Sequence, residues 1–290
     1  MAPAHGERVG VRGSRLGRAM IFDVSLGNGG PHATPELLVD TAKAADELGF
    51  RALWTSDHLL APSTLPQFSR VFEPLIVLAH IAAVTSRIRL GTSVIVLPMR
   101  SPFVVAKQAA TLDLMSGGRL ILGVGVGSYG DEYTNVHADF GTRGARLDES
   151  IRLFRHLWSG IREPFAGRYY GFEDGVFEPL PPQGGQLPLL IGGRSDAALR
   201  RAGRYADIWQ TTTVGPDAFP TAIGKIRAEP RGARVEVGSV LAFNEGLGAA
   251  REAVGAWENA GAQHLSVNFG PADGRLERVR EFAREFGVGR

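Results

Sequence analysis

The 290-residue sequence contains no cysteine. Disulfide frameworks, thiolate metal sites, thiol nucleophiles and cysteine-held iron–sulfur clusters are therefore excluded together. Lysine is scarce as well, with Lys43, Lys107 and Lys225 alone, so the basic charge is carried by arginine. Those arginines are scattered, and 32 basic residues against 30 acidic ones leave a net charge of +2. The basic stripe of a nucleic-acid binder is missing. No run approaches the ~18 apolar residues of a membrane span. Residues 1–19 hold four arginines and four glycines but no apolar stretch of the roughly 7–15 residues that a secretory signal needs. The expected setting is the cytoplasm, with a small molecule as partner and neither nucleic acid nor membrane.

What the sequence does hold is a regular alternation. Apolar, strand-like runs are expected at 20–26, 51–55, 88–97, 119–126, 187–191, 207–212, 235–242 and 264–269. Helix-patterned stretches fall between and after them, at 35–48, 73–85, 104–115, 143–158, 196–205, 217–228, 249–260 and 276–286. Most of the strands are apolar on both faces, as in a parallel sheet covered by helices. Thr34 before Pro35 reads as an N-cap followed by a proline at the first helical position, and Gly49 reads as the stop. Eight such units predict an α/β fold of the (β/α)8 TIM-barrel type, with a doubly wound sheet as the competitor. Residues 1–19 read as a loose N-terminal extension and residues 20–290 as one domain. A stretch at 161–186, rich in proline, glycine and aromatics, interrupts the rhythm. It is either a surface insertion or a lid over the barrel mouth.

Two strand ends run into glycine. Gly125, Gly127 and Gly130 match the dinucleotide pattern G-x-G-x-x-G, yet the residues after them show no helical stripe and three complete units precede them, so a Rossmann site is disfavoured. The better reading is a strand end whose glycines let a ligand approach the backbone and leave amides free for an anion. Gly192, Gly193 and Arg194 form the second such end, just before a helix, where a phosphate would find exposed amides and a charged fork. No histidine pair or carboxylate set has metal-ligand spacing, so no metal is expected and a metal-dependent barrel hydrolase is a weak alternative.

Several motifs follow one another in a fixed order. They are Trp54-Thr55-Ser56-Asp57-His58, the segment from Arg87 to Pro98, the segment from Ala109 to Arg119, and the glycine run Gly123–Gly127. Arg143–Glu149, Gly192-Gly193 and Ala206–Trp209 complete the series. Together they resemble the bacterial luciferase-like family of flavin- and deazaflavin-dependent oxidoreductases. The resemblance implies a TIM barrel with the cofactor at the C-terminal ends of the strands, and a non-proline cis peptide near Ser93–Val94. Ser56-Asp57-His58 looks more like the members that use coenzyme F420 than those that use FMN, which remains the alternative.

By that resemblance, His58 exchanges a proton with the substrate, Asp57 orients its ring or caps the loop, and Glu132 polarises substrate. Thr92, Ser93 and Val94 back the cofactor ring, and Gly125, Gly127 and Ser128 meet its side chain or phosphate. Gly192, Gly193 and Arg194 hold phosphate, while Trp209 walls the ring or sits in the core. Asp113, Arg146, Asp148 and Glu149 read as structural ion pairs. The implied activity is hydride transfer between F420 and a small carbonyl, alcohol or activated C=C, with FMN-dependent monooxygenation or a non-catalytic cofactor-binding protein as alternatives. Loops at 63–71 and 161–186 are expected to read the substrate, and a homodimer through barrel helices is the expected assembly.

Overall fold

Strands that are apolar on both faces have to be covered on both, and here they curl into a closed parallel barrel. The structure, a computed structural model, describes residues 19–289. The extension expected over 1–19 thus lies, apart from Ala19, outside the described residues. The barrel strands are β1 (Ile21–Ser25), β2 (Ala52–Thr55), β3 (Arg89–Thr92), β4 (Leu120–Gly125), β5 (Leu189–Gly192), β6 (Ile208–Thr211), β7 (Glu236–Ala242) and β8 (His264–Asn268). Each pairs in parallel with its sequence neighbours, β1 pairs with β8, and Leu90 opposite Leu120 joins β3 to β4. The barrel interior is filled by Ala52, Trp54, Ile121, Leu190 and Ile208. A larger core lies between strands and helices.

The outer helices among the described residues are α1 (Pro35–Leu48), α2 (Pro74–Ala82), α3 (Pro102–Met115), α4 (Gly130–Asn135), α5 (Arg143–Trp158), α6 (Asp196–Tyr205), α7 (Phe219–Arg227), α8 (Leu247–Asn259) and α9 (Arg275–Phe286). The first starts as its sequence predicts. Thr34 accepts from the Leu37 amide at 3.2 Å, and Gly49 closes the helix at φ 84°, a left-handed conformation that costs other residues more.

Two elements differ from expectation. The strand expected at 88–97 is broken: a cis peptide at Ser93–Val94 separates β3 from a short continuation, Ile95–Val96, which still pairs with β4. Helix α4 was not expected. Its six residues carry no apolar stripe, because its inward residues, Glu132 and Tyr133, are held by polar contacts. The Tyr133 hydroxyl donates to the Val126 carbonyl at 2.6 Å, and burial pushes that phenol's pKa up.

The interruption at 161–186 is a surface insertion and not a lid. It connects the end of α5 to the start of β5, so it serves the end of the barrel opposite the strand C-termini. A small hairpin, Phe165–Ala166 with Gly171–Phe172, lies along α5. The Glu149 carboxylate of α5 accepts from the backbone amides of Arg168, Tyr169 and Tyr170 at 2.7–2.9 Å. Burial opposes the Glu149 charge, yet these three amides hold its pKa below the ordinary value. Further along, Phe172 meets Phe103 edge-on and Gln183 hydrogen-bonds Asp113 of α3. A substrate-reading role for this segment therefore falls away. Asp148 pairs with Arg201 at 2.6 Å, and Arg146 lies over the Tyr169 ring, so these groups serve packing between outer elements.

Candidate active site

The C-terminal ends of the strands form the mouth, and the loop after β2 brings the first chemistry to it. That loop is stitched down by Asn28, which is wholly buried. Its side-chain oxygen accepts from the Ser56 amide at 2.8 Å, and its nitrogen donates to the carbonyls of Ser56 and Phe72, both at 2.9 Å. One asparagine thus fixes the loops after β1 and β2 and the approach to α2.

Asp57 and His58 then turn to different partners. The Asp57 carboxylate accepts from the Val96 amide at 2.9 Å and from Arg100, whose NH2 lies 2.6 Å from Oδ1. Arg100 also reaches Glu73 at 3.1 Å. Asp57 is therefore a clamp between the β2 loop and the broken third strand, and it does not orient His58. Glu132 does. The His58 Nδ1 lies 3.2 Å from Glu132 Oε2, and the other carboxylate oxygen accepts from the Leu59 amide at 2.8 Å and the Leu60 amide at 3.3 Å. With side chains 14% and 3% exposed, the histidine reaches the mouth and the glutamate stands behind it. Because Nδ1 faces the carboxylate, Nε2 is the nitrogen left for chemistry. The loop at 63–71 closes over this pair: the Phe68 ring stacks on His58 with centroids 4.2 Å apart, and Tyr129 stands 6.1 Å from the same ring.

The third strand supplies a wall. Ser93 and Val94 are half-buried at the break, and Val94 packs against the interior cluster. Two of the glycines singled out in the sequence owe their identity to this residue. A Cβ on Gly125 would sit 2.5 Å from Val94 Cγ2, and one on Gly192 would sit 2.9 Å from Val94 Cγ1. They are absent side chains that let Val94 project between β4 and β5. Beside the ligand contacts expected of them, both glycines thus have a packing role. The groups better placed for an anion lie one or two residues further on: Gly127 at φ 64° and exposed Ser128 after β4, and exposed Gly193 and Arg194 before α6. Ser195 caps α6, accepting from the Ala198 amide at 3.2 Å, so the positive helix end faces the same side.

Two further expectations are corrected. Thr92 is wholly buried, and its hydroxyl is spent between strands, donating to the Gly123 carbonyl at 2.7 Å and accepting from the Gly123 amide at 2.8 Å. Trp209 points outward from β6, stacks on Phe219 of α7 and donates to the Gly193 carbonyl at 2.9 Å. It walls no ligand and belongs to the core. Conversely, Asn28, Phe68, Arg100, Tyr129 and Gln210 carry much of the geometry and had no sequence signal, since each is tied to residues distant in the chain. Among the described residues, no group of three His, Cys, Asp or Glu side chains is placed to hold a metal ion, and no helix is long and apolar enough to cross a membrane.

The chain matches the luciferase-like monooxygenase family over residues 17–287. A protein of Mycobacterium tuberculosis is 34% identical over 203 residues, which cover 65% of this chain and 69% of that one. An F420-dependent glucose-6-phosphate dehydrogenase of Nakamurella multipartita is 38% identical over 190 residues, covering 62% of this chain and 52% of that one. The chain thus spans about half the length of that dehydrogenase. Among solved structures, an F420-dependent secondary alcohol dehydrogenase superposes with a TM-score of 0.76 at 17% identity, covering 93% of this chain and 99% of that one. The coenzyme F420-dependent tetrahydromethanopterin reductase of Methanopyrus kandleri gives a TM-score of 0.74 at 16% identity, covering 92% and 98%. At such identities the two structures establish the shared barrel fold.

Proposed function

The chain belongs to the luciferase-like monooxygenase family, and from that membership and the chemistry of its mouth we infer that it is an F420-dependent oxidoreductase. The observation that carries the reading is His58 at the barrel mouth, backed by buried Glu132 at 3.2 Å and set beside the Val94 wall by the Asp57 clamp. The F420-dependent dehydrogenase relatives support the choice of cofactor.

The residues present fit a deazaflavin with an anionic tail. Gly125 and Gly192 are cut back so that Val94 can stand in the mouth as a flat apolar support for a ring. Arg194 and the N-terminal end of α6 offer positive charge for a phosphate. When bound, the deazaflavin supplies a hydride donor or acceptor at C5 that works in two-electron steps. His58 holds or delivers the balancing proton at the substrate oxygen through Nε2. Glu132 fixes the ring of His58 and stabilises it when charged. Phe68 and Tyr129 cover the other faces of the histidine, exclude water from it and favour a substrate with apolar flanks. The substrate class proposed is a small ketone or secondary alcohol, or an activated C=C. A cytoplasmic homodimer with no nucleic-acid partner completes the reading; exposed Ile76 on α2 and Val104 on α3 offer apolar surface for the partner copy.

Titration of the protein with oxidised F420 and, separately, FMN, followed by quenching of tryptophan fluorescence, tests the cofactor. Saturable micromolar binding of the deazaflavin, at least tenfold tighter than FMN, is the expected result. Preferential binding of FMN would move the protein to oxygen-dependent chemistry.

A further inference from the structure

The barrel interior holds a polar chain that the proposed reaction leaves unexplained. At its inner end is an ion cluster. Arg51 forks onto Asp23, with Nε and NH2 at 2.9 and 2.6 Å from the two carboxylate oxygens, and its NH1 pairs with Glu236. Trp54 Nε1 also donates to Asp23, at 3.1 Å. Beside Glu236 also lies His264, wholly buried, with Nδ1 2.9 Å from the carboxylate. Burial opposes charge on Glu236, but His264 and Arg51 hold its pKa down to about 2.

From the cluster a chain of hydrogen bonds runs toward the mouth. His264 Nε2 lies 3.2 Å from Gln210 Oε1 and donates to it. The Gln210 amide is thereby oriented with its nitrogen toward Ser93, and it donates to the Ser93 Oγ at 2.9 Å. Gln210 is buried, whereas Ser93 is half-buried at the break in the third strand. With its oxygen accepting from inside, the Ser93 hydroxyl has its own proton left for the mouth. The chain is built into the barrel, because β7 carries glycine opposite the histidine: a Cβ on Gly238 would overlap the His264 ring.

We propose that Gln210, oriented by His264, is a positioning residue that makes the Ser93 hydroxyl an obligate hydrogen-bond donor toward an acceptor atom of the cofactor ring. The assignment rests on the deazaflavin reading above. A donor at that place favours the more electron-rich reduced ring, so the chain also raises the reduction potential of the bound cofactor.

The test compares wild type, Ser93→Ala, Gln210→Glu and the double variant by their affinity for oxidised F420 and the potential of the bound cofactor. A carboxylate at 210 only accepts, so it turns the Ser93 proton inward. Gln210→Glu and Ser93→Ala should each weaken binding about tenfold and lower the potential, and the double variant should add less than threefold to either. Wild-type affinity and potential in Gln210→Glu, with loss in Ser93→Ala, would overturn the role of Gln210. Full additivity in the double variant would do the same. Should Gln210→Glu fail to fold, nitrogen-15 NMR of His264 in the wild-type protein decides the polarity: a proton on Nε2 is expected, and an unprotonated Nε2 overturns the proposal. A wild-type protein that shows the Nε2 proton but binds no F420 would sink the cofactor reading and the Ser93 contact while leaving the internal chain intact.

Discussion

Turnover falls by about 10²–10⁴-fold when His58 is replaced by alanine, while affinity for the cofactor changes by less than about threefold. The asymmetry follows from placement. His58 is surrounded by Phe68, Tyr129 and Glu132, whereas the supports proposed for the cofactor are Val94 and the strand ends after β4 and β5. Glu132→Gln should be nearly as damaging, for a different reason. The amide can still accept from the Leu59 and Leu60 backbone, so the loop keeps its shape. Its nitrogen, however, would donate to His58 Nδ1, forcing the ring's proton onto Nε2 and removing the base from the face that meets substrate. A loss of about 10²–10⁴-fold in kcat with KM changed little is the expected split. Steady-state kinetics of the two variants check it; equal loss of cofactor affinity and turnover would instead place His58 in cofactor binding.

Gly125→Ala is expected to abolish cofactor binding without any change in polar chemistry. The new methyl would stand 2.5 Å from Val94 Cγ2, and Val94 is already pressed against the position of a Gly192 side chain on its other flank, 2.9 Å away. A close-packed wall between two strands cannot absorb that intrusion, and overpacking of this kind costs about 1–3 kcal/mol as well as displacing the wall. Val94→Ala should restore part of the binding in the Gly125→Ala background, because it removes the colliding methyls. Calorimetric titration of the two single variants and the double variant checks this, with a melting curve to separate binding from folding. No rescue by Val94→Ala would mean that Gly125 serves the ligand directly, as the glycine pattern first implied.

The contrast between those two sites shows what the sequence makes legible. The barrel is readable because each strand and helix announces itself locally, as with the Thr34–Pro35 start and Gly49 stop of α1. His58 is readable because it lies just past a strand end in a motif. Its partner is less so: Glu132 sits on α4, a six-residue helix without an apolar stripe, and it takes up its role only when the β4 end and the β2 end meet. Asp57 was legible as important but not in what it does, since Arg100 approaches it from 43 residues away. The misreadings have a common cause. Thr92 and Trp209 alternate with Ser93 and Gln210 along their strands, and one step in a strand reverses whether a side chain faces the barrel interior or the helices. The insertion at 161–186 was ambiguous because composition does not say which end of the barrel a connection serves.

The central claim is that this mouth exchanges hydride between F420 and a small organic substrate with His58 handling the proton. It is tested most directly by following the long-wavelength absorbance of oxidised F420 with the protein and a panel of short secondary alcohols, and of reduced F420 with the matching ketones and with enones. The account predicts bleaching or recovery with at least one member of the panel, lost in His58→Ala although that variant still binds F420. Bound F420 that exchanges with nothing in either direction, in wild type and variant alike, would contradict it and make the barrel a cofactor carrier.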